Sequence, residues 1–202
     1  MTSVRAVSQD AFVLHVRPYR ETSAIAELMT LEHGRVSVVA RGVRGRKRKG
    51  AETLMPFARL LVGWAGRAQL RTLTAFEPIE HHWLVGKSLY AGLYVNELML
   101  RLLRSDDPHA ELFHGYALTV GELAGEASNE SSIEALIEQR LRRFEKLLLK
   151  ECGYELCLIG MRTRVNGYLP KRGTFWNPIS DFDECRPAGI RRVVIVVLHC
   201  LR

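Results

Sequence analysis

The sequence lacks the long hydrophobic runs, the signal peptide and the cysteine framework that mark membrane or secreted proteins. No hydrophobic run reaches the roughly 18 residues that a transmembrane helix needs, so no membrane span is expected. The opening residues, MTSVRAVSQDAF, lack the apolar stretch of a signal peptide. Four cysteines in 202 residues, irregularly spaced, do not form a disulfide scaffold and favour a reducing cytoplasm.

Motifs of catalytic and cofactor sites are also missing. The cysteines show no paired spacing suited to a tetrahedral metal site, so no metal is expected. Their positions are Cys152, Cys157, Cys185 and Cys200. The glycines Gly42, Gly45 and Gly50 match no phosphate-binding loop pattern, and no nucleophile motif occurs. The sequence therefore predicts neither an enzyme nor a bound cofactor.

Positive charge is present and locally concentrated. The net charge is +7, and six of the nine residues from Arg41 to Lys49 are Arg or Lys. Such a cluster suits phosphate groups, because counterions are released where the charges meet. A solvated loop is the alternative explanation of the same run. Spacing alone leaves nucleic-acid binding and a solvated loop both open.

The first 80 residues alternate between apolar and polar positions, which is typical of strands. Phe12, Leu14 and Val16 are predicted to share one strand face, and the pair His33-Gly34 predicts a tight turn. Five strands in under 80 residues predict a five-stranded, partly open barrel of the OB type. An SH3-like barrel fits the pattern nearly as well. The predicted strands cover residues 4–18, 23–32, 35–43, 59–64 and 68–76.

After residue 80 the pattern becomes helical. A largely buried helix is expected over residues 84–104, and a second is expected to begin at Asp107 as its N-cap and end at Gly125. The third runs from Ser131 to about Glu151, and its predicted inward residues include Leu136 and Phe144. Its other face is basic. The fold class is thus α+β, with an OB barrel at 1–80, a helical domain at 81–158 and an atypical basic tail at 159–202.

Four segments together resemble the RecO family of bacterial recombination mediators. They occur in the family's order and spacing, and the resemblance covers about residues 4–158. The segments are AFVLHVRPYRETS at 11–23, GRVSVVARG at 34–42, GLYVNEL at 92–98 and LRRFEKLLLKECGY at 141–154. The tail does not match: the family continues for several dozen further residues, and the four cysteines do not reproduce the zinc-binding pattern of some members. A frameshifted or divergent ending is expected.

The resemblance implies a function and a set of partners. It implies binding of single- and double-stranded DNA, annealing of complementary strands, and action with RecR to load RecA onto strands covered by SSB. It also implies that the acidic C-terminal tail of SSB docks on the helical domain, where Arg142 matches the family position that meets it. The expected location is cytoplasmic and nucleoid-associated.

The predicted binding residues form two groups. The DNA-binding group is Arg35, Arg41, Arg44, Arg46, Lys47, Arg48 and Lys49. The partner-binding group on the third helix is Arg142, Arg143, Lys146 and Lys150, with Phe144 offering an apolar contact. Two other functions fit the residues: an adaptor that binds acidic peptides, and an RNA-binding OB protein.

Overall fold

The computed structural model describes residues 5–43, 54–66, 69–125 and 130–153. All of them lie in the first of two compact units, Met1–Leu156 and Cys157–Arg202, so the predicted tail is outside the described residues. Five strands precede three helices. They are β1 (Arg5–Tyr19), β2 (Ser23–Thr30), β3 (Gly34–Ala40), β4 (Ala58–Ala65), β5 (Leu70–His81), α1 (Gly86–Leu102), α2 (Ala110–Ala124) and α3 (Glu130–Glu151).

The strands close into a barrel in the order β1-β2-β3-β5-β4. All neighbours are antiparallel except β3 and β5, which pair in parallel from Ser37↔Leu70 to Val39↔Thr72. This non-sequential pairing is the Greek-key order of an OB barrel, which confirms the predicted fold class. It also joins the two strands that a partly open barrel would leave apart.

A β-bulge in β1 changes which face its residues share. Val13 pairs with Leu28 and His15 with Glu27, so Leu14 has no partner in β2. Before the bulge, Phe12 and Leu14 point out of the barrel; after it, Val16 packs against the barrel interior. The prediction that Phe12, Leu14 and Val16 share a face is therefore wrong for Val16, because the extra residue shifts the alternation.

The barrel and the helices share a hydrophobic core. The outward side chains of three barrel residues, Phe12, Leu14 and Met29, pack in the hydrophobic cluster of the three helices. A separate cluster fills the barrel interior. The buried Asn96 amide of α1 donates to the Leu14 carbonyl at 2.8 Å and accepts from the Tyr116 hydroxyl at 2.7 Å. The bulge frees that carbonyl from the β1–β2 ladder, so Asn96 satisfies it.

The connection between α1 and α2 is fixed to the barrel. The Asp106 amide donates to the Arg35 carbonyl at 2.9 Å, and a Cβ built on Gly34 would lie 1.8 Å from the Asp107 carbonyl oxygen. Gly34 has φ +63°, as the predicted turn requires. The prediction of Asp107 as the α2 N-cap is wrong: the helix begins at Ala110, because residues 106–108 contact the β2–β3 turn instead of capping it.

Candidate functional site

One end of the barrel collects three connections. Because β1, β3 and β5 run in one direction and β2 and β4 in the other, the C-terminal ends of the first three meet the N-terminal ends of the other two. The β1–β2 turn, the two ends of the β3–β4 connection at Ala40 and Ala58, and the residues after His81 all lie there. We call this the loop end of the barrel.

Exposed arginines occupy the loop end. Arg17, Arg20 and Arg41 are exposed, and the Arg20 guanidinium lies 5.2 Å from the centre of the Tyr19 ring. Within the described ranges, no hydrogen bond or ion pair holds the guanidinium groups of Arg17 and Arg41. The remaining predicted DNA-binding cations of the loop lie outside the described residues. They are Arg44, Arg46, Lys47, Arg48 and Lys49.

Arg35 lies within β3, whereas Arg41 follows the strand, and the two arginines have different surroundings. The Arg35 guanidinium lies 3.4 Å from the Glu27 carboxylate and donates to the Ser105 hydroxyl at 3.2 Å, and the side chain is only 20% exposed. Glu27 also accepts from Ser37 at 2.8 Å. Arg35 therefore already has partners within the molecule, and a phosphate would have to compete with them.

The outer face of α3 carries the predicted basic row and borders an open groove of about 860 Å³. Arg142 contacts Glu145 at 2.7 Å and Glu138 at 4.0 Å, and Arg143 pairs with Glu122 of α2. Lys150 pairs with Glu111 at 3.0 Å. The groove is lined by Glu122, Ala135, Leu136, Glu138, Gln139, Arg140, Arg142, Arg143 and Lys146.

The structure corrects the apolar part of this predicted site. Phe144 is 1% exposed and packs in the helical core with Tyr116, so it offers no surface to a partner. Leu136, predicted to be buried, is 39% exposed and lines the groove. Phe144 is thus inward, as its place in the helical pattern predicts, but it is not a partner contact. Leu136 is exposed because α3 packs on α1 and α2 through the row that contains Ile137, Phe144 and Leu148.

Glu97 and Arg101 form an i,i+4 ion pair on α1. Both side chains are exposed, although their place in a largely apolar helix predicts a buried pair. Asn96, beside them in sequence, is the buried member of this segment. Among the described residues, no group of three or more His, Cys, Asp or Glu side chains is arranged to hold a metal. No helix in the described part is long and apolar enough to cross a bilayer.

The sequence pattern does not predict the exposure of one aromatic residue, Trp83. Trp83 follows β5 directly and is 69% exposed at the loop end, with the His81 ring 4.1 Å away, centre to centre. The sequence contained a signal: a tryptophan in a short link between a strand and a helix, next to the pair His81-His82. In an extended chain the two histidines of that pair point to opposite sides, so the pair does not predict a metal site.

Comparison with known proteins identifies the family. Residues 1–82 match the family model described as Recombination protein O N terminal. A DNA repair protein RecO of Coxiella burnetii is 40% identical over 178 residues, which cover 84% of this chain and 73% of that protein. Those of Cellvibrio japonicus and Laribacter hongkongensis are both 42% identical, and the matches cover 76% and 82% of this chain and 62% and 69% of the relatives. The chain therefore belongs to the RecO family.

Proposed function

We propose that this chain acts in DNA repair by binding DNA at the loop end of its barrel. The observation that carries the proposal is the exposure of Arg17, Arg20 and Arg41 at that end, where the basic run begins in the sequence. Arg41 is the described member of the run, and Arg17 and Arg20 add charge beside it. Arg44, Arg46, Lys47, Arg48 and Lys49 complete the proposed phosphate contacts. Arg35 contributes less, because Glu27 and Ser105 already bind it.

Contacts of this kind recognise phosphate and carry no sequence information, so binding is sequence-independent. A cationic surface that holds two strands also reduces their mutual repulsion, which favours annealing of complementary strands. The relatives are named DNA repair proteins, and family membership supports the further role of loading RecA, together with RecR, on DNA covered by SSB.

The direct test is a salt titration of DNA affinity with the full chain. We expect the logarithm of the binding constant for duplex DNA to fall linearly with the logarithm of salt concentration, by about 0.9 per phosphate contact. Oligonucleotides of different sequence should give the same slope. No salt-sensitive DNA binding would reject the proposal, and tighter binding to structured RNA than to DNA would support an RNA-binding function instead.

An isolated barrel is unsuitable for this test. Its wall residues Phe12, Leu14 and Met29 are buried against the helices, so a chain cut near residue 80 would expose them to water. Loss of DNA binding in such a fragment could reflect unfolding alone. The full chain with substituted side chains keeps the core intact and isolates the charges.

The groove over α3 supports a second, compatible function, the docking of an acidic peptide. Its rim carries Arg142, Arg143 and Lys146, and Leu136 with Ala135 offers an apolar contact inside it. Lys150 lies one turn beyond. Guanidinium groups form paired hydrogen bonds with carboxylates, and an apolar side chain of the peptide could meet Leu136. We propose the acidic C-terminal tail of SSB as this peptide. Peptide binding without any DNA binding would favour the adaptor function.

A further inference from the structure

We propose that Trp83, supported by His81, is a stacking platform for an unpaired base at the loop end of the barrel. This inference rests on the proposed DNA binding and adds the class of ligand that the site prefers. An exposed tryptophan ring offers a flat apolar face, and every nucleobase has a matching face. The platform would therefore bind single strands without regard to their sequence.

The residues on both sides of Trp83 are held by contacts to the rest of the molecule. The His82 amide donates to the Phe57 carbonyl at 3.5 Å, and the His82 ring lies 6.3 Å from that of Phe12. Leu84 is buried in the core shared with the helices. Trp83, which is 69% exposed, thus lies between a half-buried His82 and a buried Leu84.

The His81 ring packs against the Trp83 ring. The two rings are 4.1 Å apart, and their planes meet at 40°. Both nitrogens of the His81 ring are buried and have no hydrogen-bond partner among the described residues. Burial, followed by the neighbouring His82, lowers the pKa of His81, so its ring is neutral near pH 7. A packed ring loses less side-chain freedom when a base stacks on it.

The surrounding charge favours nucleic acid over a protein partner. Trp83 follows the end of β5, at the loop end where Arg17, Arg20 and Arg41 are exposed. The acidic Glu80 belongs to the opposite side of its strand, where it lies 3.6 Å from His82. A phosphate chain held by the arginines thus has an exposed ring available at the same end of the barrel.

A duplex hides the faces of its bases, so stacking on Trp83 should contribute to single-strand affinity alone. We expect Trp83→Ala to weaken binding of an oligo-dT strand roughly five- to a hundredfold, the usual range for one stacked base. Binding of a duplex of equal length should change less than about twofold. Trp83→Phe keeps an aromatic face and should retain most of the single-strand affinity. The salt slope should be the same in all three proteins, because no phosphate contact is removed.

Tryptophan fluorescence gives an independent readout. The chain has three tryptophans: Trp64 is fully buried in the barrel, and Trp176 lies outside the described residues. Oligo-dT should quench the emission of Trp83 in the parent chain, and the difference in quenching between the parent and Trp83→Phe isolates that contribution. The Trp83→Phe protein should bind the strand without that part of the quenching. This variant keeps the test decisive even if Trp83→Ala melts at a lower temperature.

Several results would overturn the platform. They are equal losses of single- and double-strand affinity in Trp83→Ala, no loss in either, or quenching that is unchanged in Trp83→Phe. A changed sedimentation coefficient in Trp83→Ala with unchanged DNA affinities would assign the ring to a protein interface instead. If the parent chain binds DNA with a normal salt slope in these cases, only the platform fails. If the parent shows no salt-sensitive binding, the proposed function fails with it.

Discussion

The two cationic surfaces of this chain differ in what their charges already contact. At the loop end of the barrel, Arg17 and Arg41 are exposed, with no carboxylate partner among the described residues. On the outer face of α3, Arg142 and Arg143 are paired with glutamates of α3 and α2. A phosphate can bind Arg17 and Arg41 without displacing a carboxylate of the described residues. A ligand of the second surface must replace carboxylates, so an acidic peptide suits it better than a phosphate chain does.

The contrast between Arg35 and Arg41 supports the same point over a short stretch of chain. Arg35 lies on the outer face of β3, and Arg41, six residues later, follows the last residue of that strand. Arg35 connects β2 and the α1–α2 connection through Glu27 and Ser105, whereas Arg41 lies at the end of the barrel where the loop begins. Proximity in sequence to a basic run is therefore a weaker guide to ligand binding than the partners that each side chain already has.

The largest difference between the two surfaces should be the loss of duplex affinity when the basic loop after Arg41 is substituted. Substituting Arg46, Lys47, Arg48 and Lys49 by Ala removes up to four phosphate contacts. Duplex affinity near 0.1 M salt should fall about a hundred- to a thousandfold, and the salt slope should flatten by about 0.9 per lost contact. Fluorescence anisotropy of a labelled duplex at several salt concentrations measures both quantities.

The matched control removes an equal number of positive charges from α3. Its four substitutions to Ala are at Arg142, Arg143, Lys146 and Lys150. This control should retain duplex affinity within about a factor of two while losing peptide binding. An equal loss of duplex affinity in the two quadruple variants would mean that net charge, and not the loop end, determines DNA binding.

A smaller effect is expected at the α3 groove. Arg142→Ala should weaken binding of a peptide with the acidic SSB tail sequence by about 1–3 kcal/mol, the scale of a charge-assisted hydrogen bond. Peptide titrations at low and physiological salt measure this loss. Duplex binding by the same variant should stay unchanged. Similar losses for peptide and duplex, or none for the peptide, would contradict the assignment of the groove.

The carboxylates of the α3 groove test whether internal ion pairs limit peptide binding there, which is how the groove differs from the loop end. Glu138 lies 4.0 Å from Arg142 and competes with an incoming acidic peptide. Glu138→Gln should therefore tighten peptide binding by a few tenths of a kcal/mol, as expected for an exposed ion pair. Gln139→Glu, one residue along the same groove, adds a carboxylate and should weaken binding by a similar amount. Changes of equal sign in the two variants would contradict this explanation.

The smallest effect concerns the acid stability of the barrel end. The pKa of His81 is lowered from its ordinary value of 6.5, so the folded chain binds this proton less readily than the unfolded chain does. The stabilising contribution of the neutral ring is complete above pH 6.5 and is lost as the pH falls through 6.5 towards the lowered pKa. Urea denaturation at pH 7.5 and 5.5 should show a smaller fall in stability for His81→Phe than for the parent. Equal falls would indicate that His81 titrates normally.

Much of the architecture could be predicted from local pattern, because alternation and helical period follow directly from side-chain direction. Gly34 marked the β2–β3 turn, and Gly125 marked the end of α2. The order β1-β2-β3-β5-β4 could not be predicted from alternation, which fits more than one barrel. The α2 N-terminus was misassigned at Asp107, because local capping preference competes there with a tertiary contact to Gly34.

The binding residues were harder to predict than the elements that carry them. The basic run was plain in the sequence, but the partners of Arg35 depend on Glu27 and Ser105, which are distant from it along the chain. Leu136 and Phe144 are both apolar residues of α3, and only the packing of α1 and α2 decides which of them is exposed. Trp83 is a candidate binding residue because it lies at the loop end of the barrel, and that position depends on the strand order, which local sequence does not reveal.

The bulge at Leu14 makes the length of β1 as important as its composition. The strand presents Phe12 to the helices on one side of the bulge and His15 and Arg17 to solvent on the other. If Leu14 instead took a regular place in the β1–β2 ladder, strict alternation from Phe12 would turn Val16 out of the barrel and the cationic Arg17 towards its interior. The position of the bulge therefore decides which residues of this half of the strand face the barrel interior. The inward and outward alternation of β1 depends on this one irregularity.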